Sequence, residues 1–521
     1  MQGKKHYNEK LFTSFHLSNR IPEDNFYRRL KSELDLQFLY KATKSYYGKE
    51  GQESIDPVVF FKLILIGYLE NLNSDRKIIN HVSMRLDLLY FIGYDIDEEL
   101  PWHSTVSRTR QLYGEEVFRK LFKEVLRLCV NQGMVKGKRQ AIDSAYIKAN
   151  ASMDSLLEKE VIEDGDIYIS EFGEDTQVVT SQKKEEVERH HQWKEKEYKD
   201  QPRGRKNQRP DEDMPPIRGK FLSNHTHYSS TDPEARISTK PGKPRQLTFT
   251  GQASVDTASH VITNIMADYS DKRDSQSLPK AMEQTITNLA EHDLKVEEVL
   301  ADTGYSSGES LQYLKDNNIT GYIPNFGQYK ASREGFTYHK EGDYYECSRG
   351  VKIPFKKIKD THGGQYQVKS YRSSWKDCKT CPINKTCIGN ANYKKIEDTV
   401  DKHLYDEMHE RLKTAKAKRM KKLRSSTVEP VLGTLINFRG MRRIWTRGLA
   451  SANKFMIGAA IAYNLMKWMN YKNPKRNSKI MAMKEGGVLS SIYNKTSILL
   501  RSRIQLKKIR WKLGLESSHS L

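Results

Sequence analysis

The sequence predicts an α/β fold, a sheet layered by helices, behind an all-helical N-terminal region. Three observations carry this. Apolar residues recur at helical spacing from about Phe26 to Gly133. The period changes at Gln140 to Ile147, which has a strand's composition and length. Strand and helix patterns then alternate as far as Pro324.

Pro57 opens an apolar helix, Val58 to Ile66, close to Gly67, because proline at the first helical position gives up an N–H that has no partner there. Ser74 or Asp75 caps the next helix, and Ser104, after Pro101-Trp102-His103, starts another. Leu121, Phe122, Val125, Leu126 and Cys129 keep helical spacing up to Gly133. Short helices with basic faces suit a helix-turn-helix module, although helical bundles with no DNA role share the pattern. After the strand at Gln140, a stretch from Ala151 to Lys243 is dense in Lys, Glu, Arg, Gln, Pro and Gly and suits an exposed helix at most.

Strands resume at Gln246 to Val255 and Val261 to Ala267, across a hairpin turn at Asp256-Thr257-Ala258-Ser259. Helix Ser277 to Leu289, strand Val296 to Ala301, helix Ser307 to Asn317 and strand Gly321 to Pro324 follow. A second insert, Asn325 to about Val400, carries four of the five cysteines. A long basic helix, the segment Thr427 to Asn437 and an apolar helix from about Leu449 to Asn470 come next. The expected domains are therefore 1–135 (helical, DNA-binding), 136–470 (α/β, with inserts at about 151–243 and 325–400) and 471–521, a basic tail.

Bulk properties narrow the partner. The 521 residues exceed one compact core. Lys and Arg number 88 against 66 acidic residues, a formal charge of +22, and such an excess favours a polyanion. No apolar run reaches the ~18 residues of a membrane span; Phe455 to Leu465 is short and broken by Tyr463 and Asn464. The N-terminus lacks the apolar run of a secretory signal, and five cysteines do not form a disulfide framework. A cytoplasmic protein that meets nucleic acid is expected.

Three carboxylates carry the chemistry. Asp302 ends the apolar strand Val299-Leu300-Ala301 and enters Thr303-Gly304-Tyr305, with Ser306-x-x-Glu309 as a capping box behind it. That is where α/β folds place ligands, and also what an ordinary Asp-x-Gly turn looks like. Asp143 lies inside a strand, on the face of Ala141 and Ala145; strand interiors disfavour Asp, and a buried charge needs a partner or a metal. A satisfied Asp on an edge strand is the alternative. Glu429, in Ser425-Ser426-Thr427-Val428-Glu429-Pro430, fits either a capping box from Ser426 or a ligand beside Gly433. Three such carboxylates can hold two magnesium ions at a phosphate, activating the attacking oxygen and stabilising the leaving one.

These residues sit in segments that resemble a known family. Ala141 to Ser152, Leu300-Ala301-Asp302-Thr303-Gly304-Tyr305-Ser306 and Thr427-Val428-Glu429-Pro430-Val431-Leu432-Gly433 look like the three signature segments of bacterial DDE insertion-sequence transposases. Pro57 to Val117, with His103-Ser104-Thr105, looks like the family's InsH-type N-terminal domain, and Ser230 to Arg236 like the segment before its second strand. The resemblance implies an RNase H-like catalytic core, a mixed sheet with flanking helices. It also implies cleavage and strand transfer at the ends of an insertion sequence, with two Mg2+ or Mn2+ ions on Asp143, Asp302 and Glu429. One departure stands out: the family's Tyr-x2-Arg-x3-Glu-x6-Lys pattern falls here on Lys422, Ser425, Glu429 and Ile436. Arg424 and Arg439 are the candidates to replace its phosphate contacts.

Cys347, Cys378, Cys381 and Cys387 offer four thiolates for a structural Zn2+, with four free thiols as the alternative. From Arg411 to Arg424, eight of fourteen residues are Lys or Arg and none is acidic. A solvated helix face is the usual meaning, but the position before Glu429 favours DNA. Lys421, Lys422, Arg424, Arg439, Arg442, Arg443 and Arg447 are the candidate DNA contacts, with Trp445 available for stacking. The expected partners are double-stranded DNA and a second copy of the chain, not a membrane. A nuclease that does not join, or an inactive transposase-derived DNA-binding protein, are the rival functions.

Overall fold

The computed structural model describes residues 16–48, 50, 54–158, 223–224, 227–239, 244–325, 329–361 and 366–472. Most of the charged insert and nearly all of the basic tail lie outside them. The chain divides into Met1–Asn464 and Leu465–Leu521; of the second, the described residues are the closing turns of the last helix.

Eight helices open the fold: α1 Leu17–Arg20, α2 Phe26–Glu33, α3 Phe38–Thr43, α4 Pro57–Leu69, α5 Asp75–Ser83, α6 Leu86–Ile92, α7 His103–Leu112 and α8 Glu115–Asn131. Pro57 is the first residue of α4, and the Asp56 carboxylate accepts the Val58 and Val59 N–H groups at 2.6 and 3.1 Å, closing donors a helix start leaves open. Helix α4 is buried almost all round, hence its apolar run, which only Lys62 interrupts. Ser74 caps α5 by accepting Lys77 N–H at 3.2 Å. Helix α7 starts at His103, one position before the expected Ser104, because Trp102 C=O already accepts the Thr105 N–H. Gly133, at φ +74°, turns the chain out of α8.

The central strand β1, Arg139–Lys148, runs antiparallel to a long strand at Gln246–Asp256 and parallel to a short one at Glu298–Leu300. In chain order the strands are β2 Leu156–Glu158, β3 His227–Ser229, β4 Arg236–Ser238, β5 Gln246–Asp256, β6 Ile262–Tyr269, β7 Glu298–Leu300 and β8 Thr320–Tyr322. The main sheet reads β4-β5-β1-β7-β8, with β6 also on β5, while β2 and β3 pair separately. Strands β6 and β1 are each antiparallel to β5, and β1, β7 and β8 are parallel. The sheet is thus mixed.

Helix α9, Asp274–Ala290, lies on β5 and β6. It begins before the expected Ser277 because the Gln276 side chain closes the first turn on Arg273 N–H, at 3.0 Å. Pro279 is inside it; the Ser275 C=O that Pro279 cannot serve accepts the Ser310 hydroxyl at 2.8 Å. Helix α10, Gly308–Asp316, is capped by Ser307, which accepts Ser310 N–H at 3.1 Å. The expected cap from Ser306 does not form, since Ser306 closes the preceding turn onto Thr303 C=O.

The cysteine-bearing insert has its own antiparallel sheet, which sequence reasoning did not assign. Its strands are β9 Phe336–His339, β10 Tyr344–Cys347, β11 Lys352–Thr361, β12 Tyr366–Arg372 and β13 Lys395–Thr399, ordered β13-β12-β11-β10-β9. Two short helices, α11 Trp375–Lys379 and α12 Asn384–Ile388, join β12 to β13. The core is small: Tyr345, Ile353, Tyr371 and Ile396.

Three helices follow, α13 Lys402–Lys413, α14 Ala415–Phe438 and α15 Leu449–Tyr471. The expected separation of a basic helix from Thr427–Asn437 is corrected here. Helix α14 runs unbroken through both, capped by Thr414, with Pro430 inside it. Met420, Val428, Val431, Leu432 and Leu435 bury one face along its length, and that continuous packing outweighs the hydrogen bond proline forfeits. Helices also close both margins of the main sheet. Asn453 Oδ1 accepts Ala267 N–H at 3.0 Å, and Asn464 exchanges two hydrogen bonds with Ile262 at 2.9 and 2.8 Å. Arg411 donates to Gly321 C=O at 3.0 Å on the other margin.

Candidate active site

The parallel register pairs Ala141 of β1 with Leu300 of β7. Two residues further along each chain come Asp143 and Asp302, so neighbouring strands, about 4.8 Å apart, carry the two carboxylates to one edge. Asp302 turns the chain there, accepting Gly304 N–H at 2.9 Å. A Cβ on Gly304 would lie 3.0 Å from Asp274 Oδ2 and 3.1 Å from Asp302 Oδ1, so a side chain there would press both carboxylates to give by a few tenths of an ångström.

Asp143 accepts Ser144 N–H at 2.8 Å on Oδ1 and Arg424 Nη1 at 2.7 Å on Oδ2. Its side chain is only 16% exposed. Burial pushes its carboxyl up to about 6, against the pull of Ser144 N–H and Arg424, with Asp302 adding to the rise. Glu429 projects from the middle of α14, 54% exposed, and takes Arg424 Nη2 at 2.9 Å. One guanidinium therefore bridges Asp143 and Glu429.

Beneath the edge sits Tyr305, fully buried. Its hydroxyl donates to Gln252 Oε1, and Gln252 donates to Asp274 Oδ1 at 2.9 Å. Burial first, then the carboxylates of Asp274, Asp143 and Asp302, raise the Tyr305 phenol far above its ordinary value. Sequence reasoning missed Asp274 as a fourth carboxylate of this neighbourhood. In Lys272-Arg273-Asp274-Ser275 it reads as an ordinary helix start.

Helix α14 is anchored to the same strands. Glu298 of β7, in register with Arg139, takes Arg139 Nη2 at 2.5 Å and also pairs with Lys416 at the start of α14. Burial works to raise the Glu298 carboxyl, but the hydrogen bonds from Lys416 and Arg139 outweigh it and hold it below the usual range.

The candidate DNA contacts divide into two sets. Lys421, Lys422, Arg442 and Arg447 are exposed. Arg424, Arg439 and Arg443 are engaged within the fold. Arg439 is half-buried and donates to Leu69 C=O at 2.8 Å, joining α4 to the end of α14. Arg443 donates to Asn150 Oδ1 at 3.2 Å and lies over the Trp445 ring at 5.0 Å. A cleft of about 520 Å³ between the N-terminal helices and this segment includes Arg110, Trp445, Arg447 and Lys454 but none of the three carboxylates.

Among the described residues, no three His, Cys, Asp or Glu side chains are gathered as ligands of one metal ion. Cys378 Sγ lies 3.0 Å from Ser373 Oγ, Cys347 packs on the insert's core, and Cys381 and Cys387 are half-buried. No helix among the described residues is long and apolar enough to cross a membrane.

Two family models bear on this mixed-sheet α/β chain. A transposase domain (DUF772) matches residues 15–112, and a transposase DDE domain matches residues 346–469, which include Glu429. The chain thus carries two transposase-type domains, consistent with a DDE insertion-sequence transposase. Asp143 and Asp302 lie between the two matches. No curated protein matches the chain.

Proposed function

We propose that this transposase has an RNase H-like core in which Asp143, Asp302 and Glu429 form a two-metal site, and that it cuts and rejoins double-stranded DNA at the ends of its own insertion sequence. The observation that carries the reading is the convergence of these carboxylates: Asp143 and Asp302 on adjoining parallel strands, Asp143 and Glu429 on one cation. The antiparallel β6-β5-β1 followed by parallel β7-β8 supports the RNase H-like assignment.

The donor set fits magnesium or manganese, which take hard carboxylate oxygens. When bound, such ions activate an attacking oxygen and stabilise the leaving one in an in-line displacement. The chain's own part is to hold the ligands. The β1 and β7 backbones fix Asp143 and Asp302, the Gly304 N–H orients Asp302, and α14, tied at Lys416 to Glu298, presents Glu429. The exposed Lys421, Lys422, Arg442 and Arg447 supply phosphate contacts, whose salt dependence would follow counterion release.

For the insert we propose a structural zinc on Cys347, Cys378, Cys381 and Cys387. All four belong to one small sheet unit with a four-residue core, the kind of unit a metal stabilises. One zinc per chain, lost in Cys378→Ser, is expected; zinc-free wild type overturns it. The catalytic reading is tested with purified protein, magnesium and DNA carrying the gene's flanking sequence, wild type against Asp302→Ala. Cleavage and joined products with wild type alone support it. Cleavage without joining makes the chain a nuclease, and tight binding with no cleavage leaves an inactive DNA-binding protein.

A further inference from the structure

We propose that Arg424 is a displaceable internal cation. It holds Asp143 and Glu429 together in the metal-free protein, competes with the divalent ion for them, and is released towards the DNA phosphate as metal binds. The inference rests on the two-metal reading above.

The geometry is specific. The Arg424 fork places Nη1 at 2.7 Å from Asp143 Oδ2 and Nη2 at 2.9 Å from Glu429 Oε1. These are charge-assisted distances, and they join residues that the chain otherwise brings from far apart. Two carboxylates converging on one point repel each other, and one is well buried. Without a cation between them, Glu429, half-exposed at the rim, would swing away into water. The guanidinium thus preserves the ligand arrangement.

The same oxygens cannot serve both cations at these distances. A divalent ion that takes Asp143 Oδ2 or Glu429 Oε1 meets the Arg424 charge at the same oxygen and is repelled by it, so each bound cation weakens the other, and this coupling is reciprocal. The displaced side chain remains on the stretch of α14 that bears exposed Lys421 and Lys422. Arginine suits the second role, since its planar fork matches a phosphate as well as a carboxylate.

The test uses the full-length, DNA-free protein and Mn2+ as probe, with free Mn2+ followed by electron paramagnetic resonance. Arg424→Gln is expected to bind Mn2+ about fivefold or more tightly than wild type, the lower range of coupling between sites. Arg424→Lys, which keeps a cation, returns affinity towards wild type. Should Arg424→Gln fail to fold, judged by its circular dichroism, Arg424→Met is the second neutral variant. In single-turnover cleavage the neutral variant needs less magnesium for half-saturation yet is slower at saturation. A merely structural arginine would raise the magnesium requirement instead. Unchanged or weaker Mn2+ binding by the neutral variant, with wild type binding normally and Asp302→Asn weakened, overturns this inference alone. Wild type that binds no Mn2+ overturns the two-metal reading and the inference with it.

Discussion

Asp143 should cost the protein stability for the sake of its chemistry, and Asp143→Asn exposes the cost. Burial raises its carboxyl from 3.8 to about 6 even with Arg424 in contact. At about 1.4 kcal/mol per pKa unit, that is a penalty of about 3 kcal/mol on the ionised form. Because the folded value lies above the unfolded one, the penalty is full above about pH 6 and fades as pH falls towards 3.8. Asparagine keeps the shape and an acceptor oxygen for Ser144 N–H without the charge. Its amide nitrogen then faces Arg424 Nη1, donor to donor, so Arg424 loses that partner and keeps only Glu429, which trims the gain. The metal-free variant is expected to be more stable than wild type by about 1–3 kcal/mol at about pH 8, with the difference closing by about pH 4. Denaturant unfolding in EDTA at several pH values measures it. A variant less stable than wild type at about pH 8, or a gap that ignores pH, would refute the reasoning. Under the proposed function the same variant loses cleavage.

Glu298→Gln should destabilise the fold by about 2 kcal/mol at neutral pH, since it removes a charge held by both Arg139 and Lys416. Here the folded value is depressed, so the loss is present above about pH 4.3 and disappears as pH falls through the folded value. Denaturant unfolding of both proteins across that range checks it; a loss that persists in acid rules it out. Asn464→Leu should cost about 2–4 kcal/mol, because Ile262 N–H and C=O lose their partners in a buried setting. A melting curve equal to wild type would mean those groups find others.

Asp143 stood out in the sequence because it breaks a local rule: an Asp inside the apolar strand around Ile142 is costly unless it serves something. Asp302 stood out only by its place at a strand end, since an Asp-x-Gly turn is ordinary by itself. The strand order was less accessible, since it depends on pairings between segments distant in the chain. The setting of Glu429 was misjudged. Ser426, Glu429 and Pro430 carry the local marks of a helix start, whereas burial from Met420 to Leu435 carries α14 straight through. Arg424 read as a phosphate contact because nothing in its own segment reveals a partner on β1. The sheet of the insert was missed where a short signal existed: Tyr366-Gln367-Val368-Lys369 alternates apolar and polar residues, but the cysteines drew the reading towards metal.

The hydrogen bonds at the margins of the main sheet bear on how two copies could meet. Exposed strand edges are ready templates for another chain. Here Ile262 and Ala267 on β6 are answered by Asn464 and Asn453, and Gly321 on β8 by Arg411. A polar residue that interrupts the apolar run of α15 thereby acts as a surrogate strand. Growth of the sheet across molecules is discouraged at both borders, which leaves the helices and the insert as the surfaces through which copies could meet and keeps each sheet self-contained.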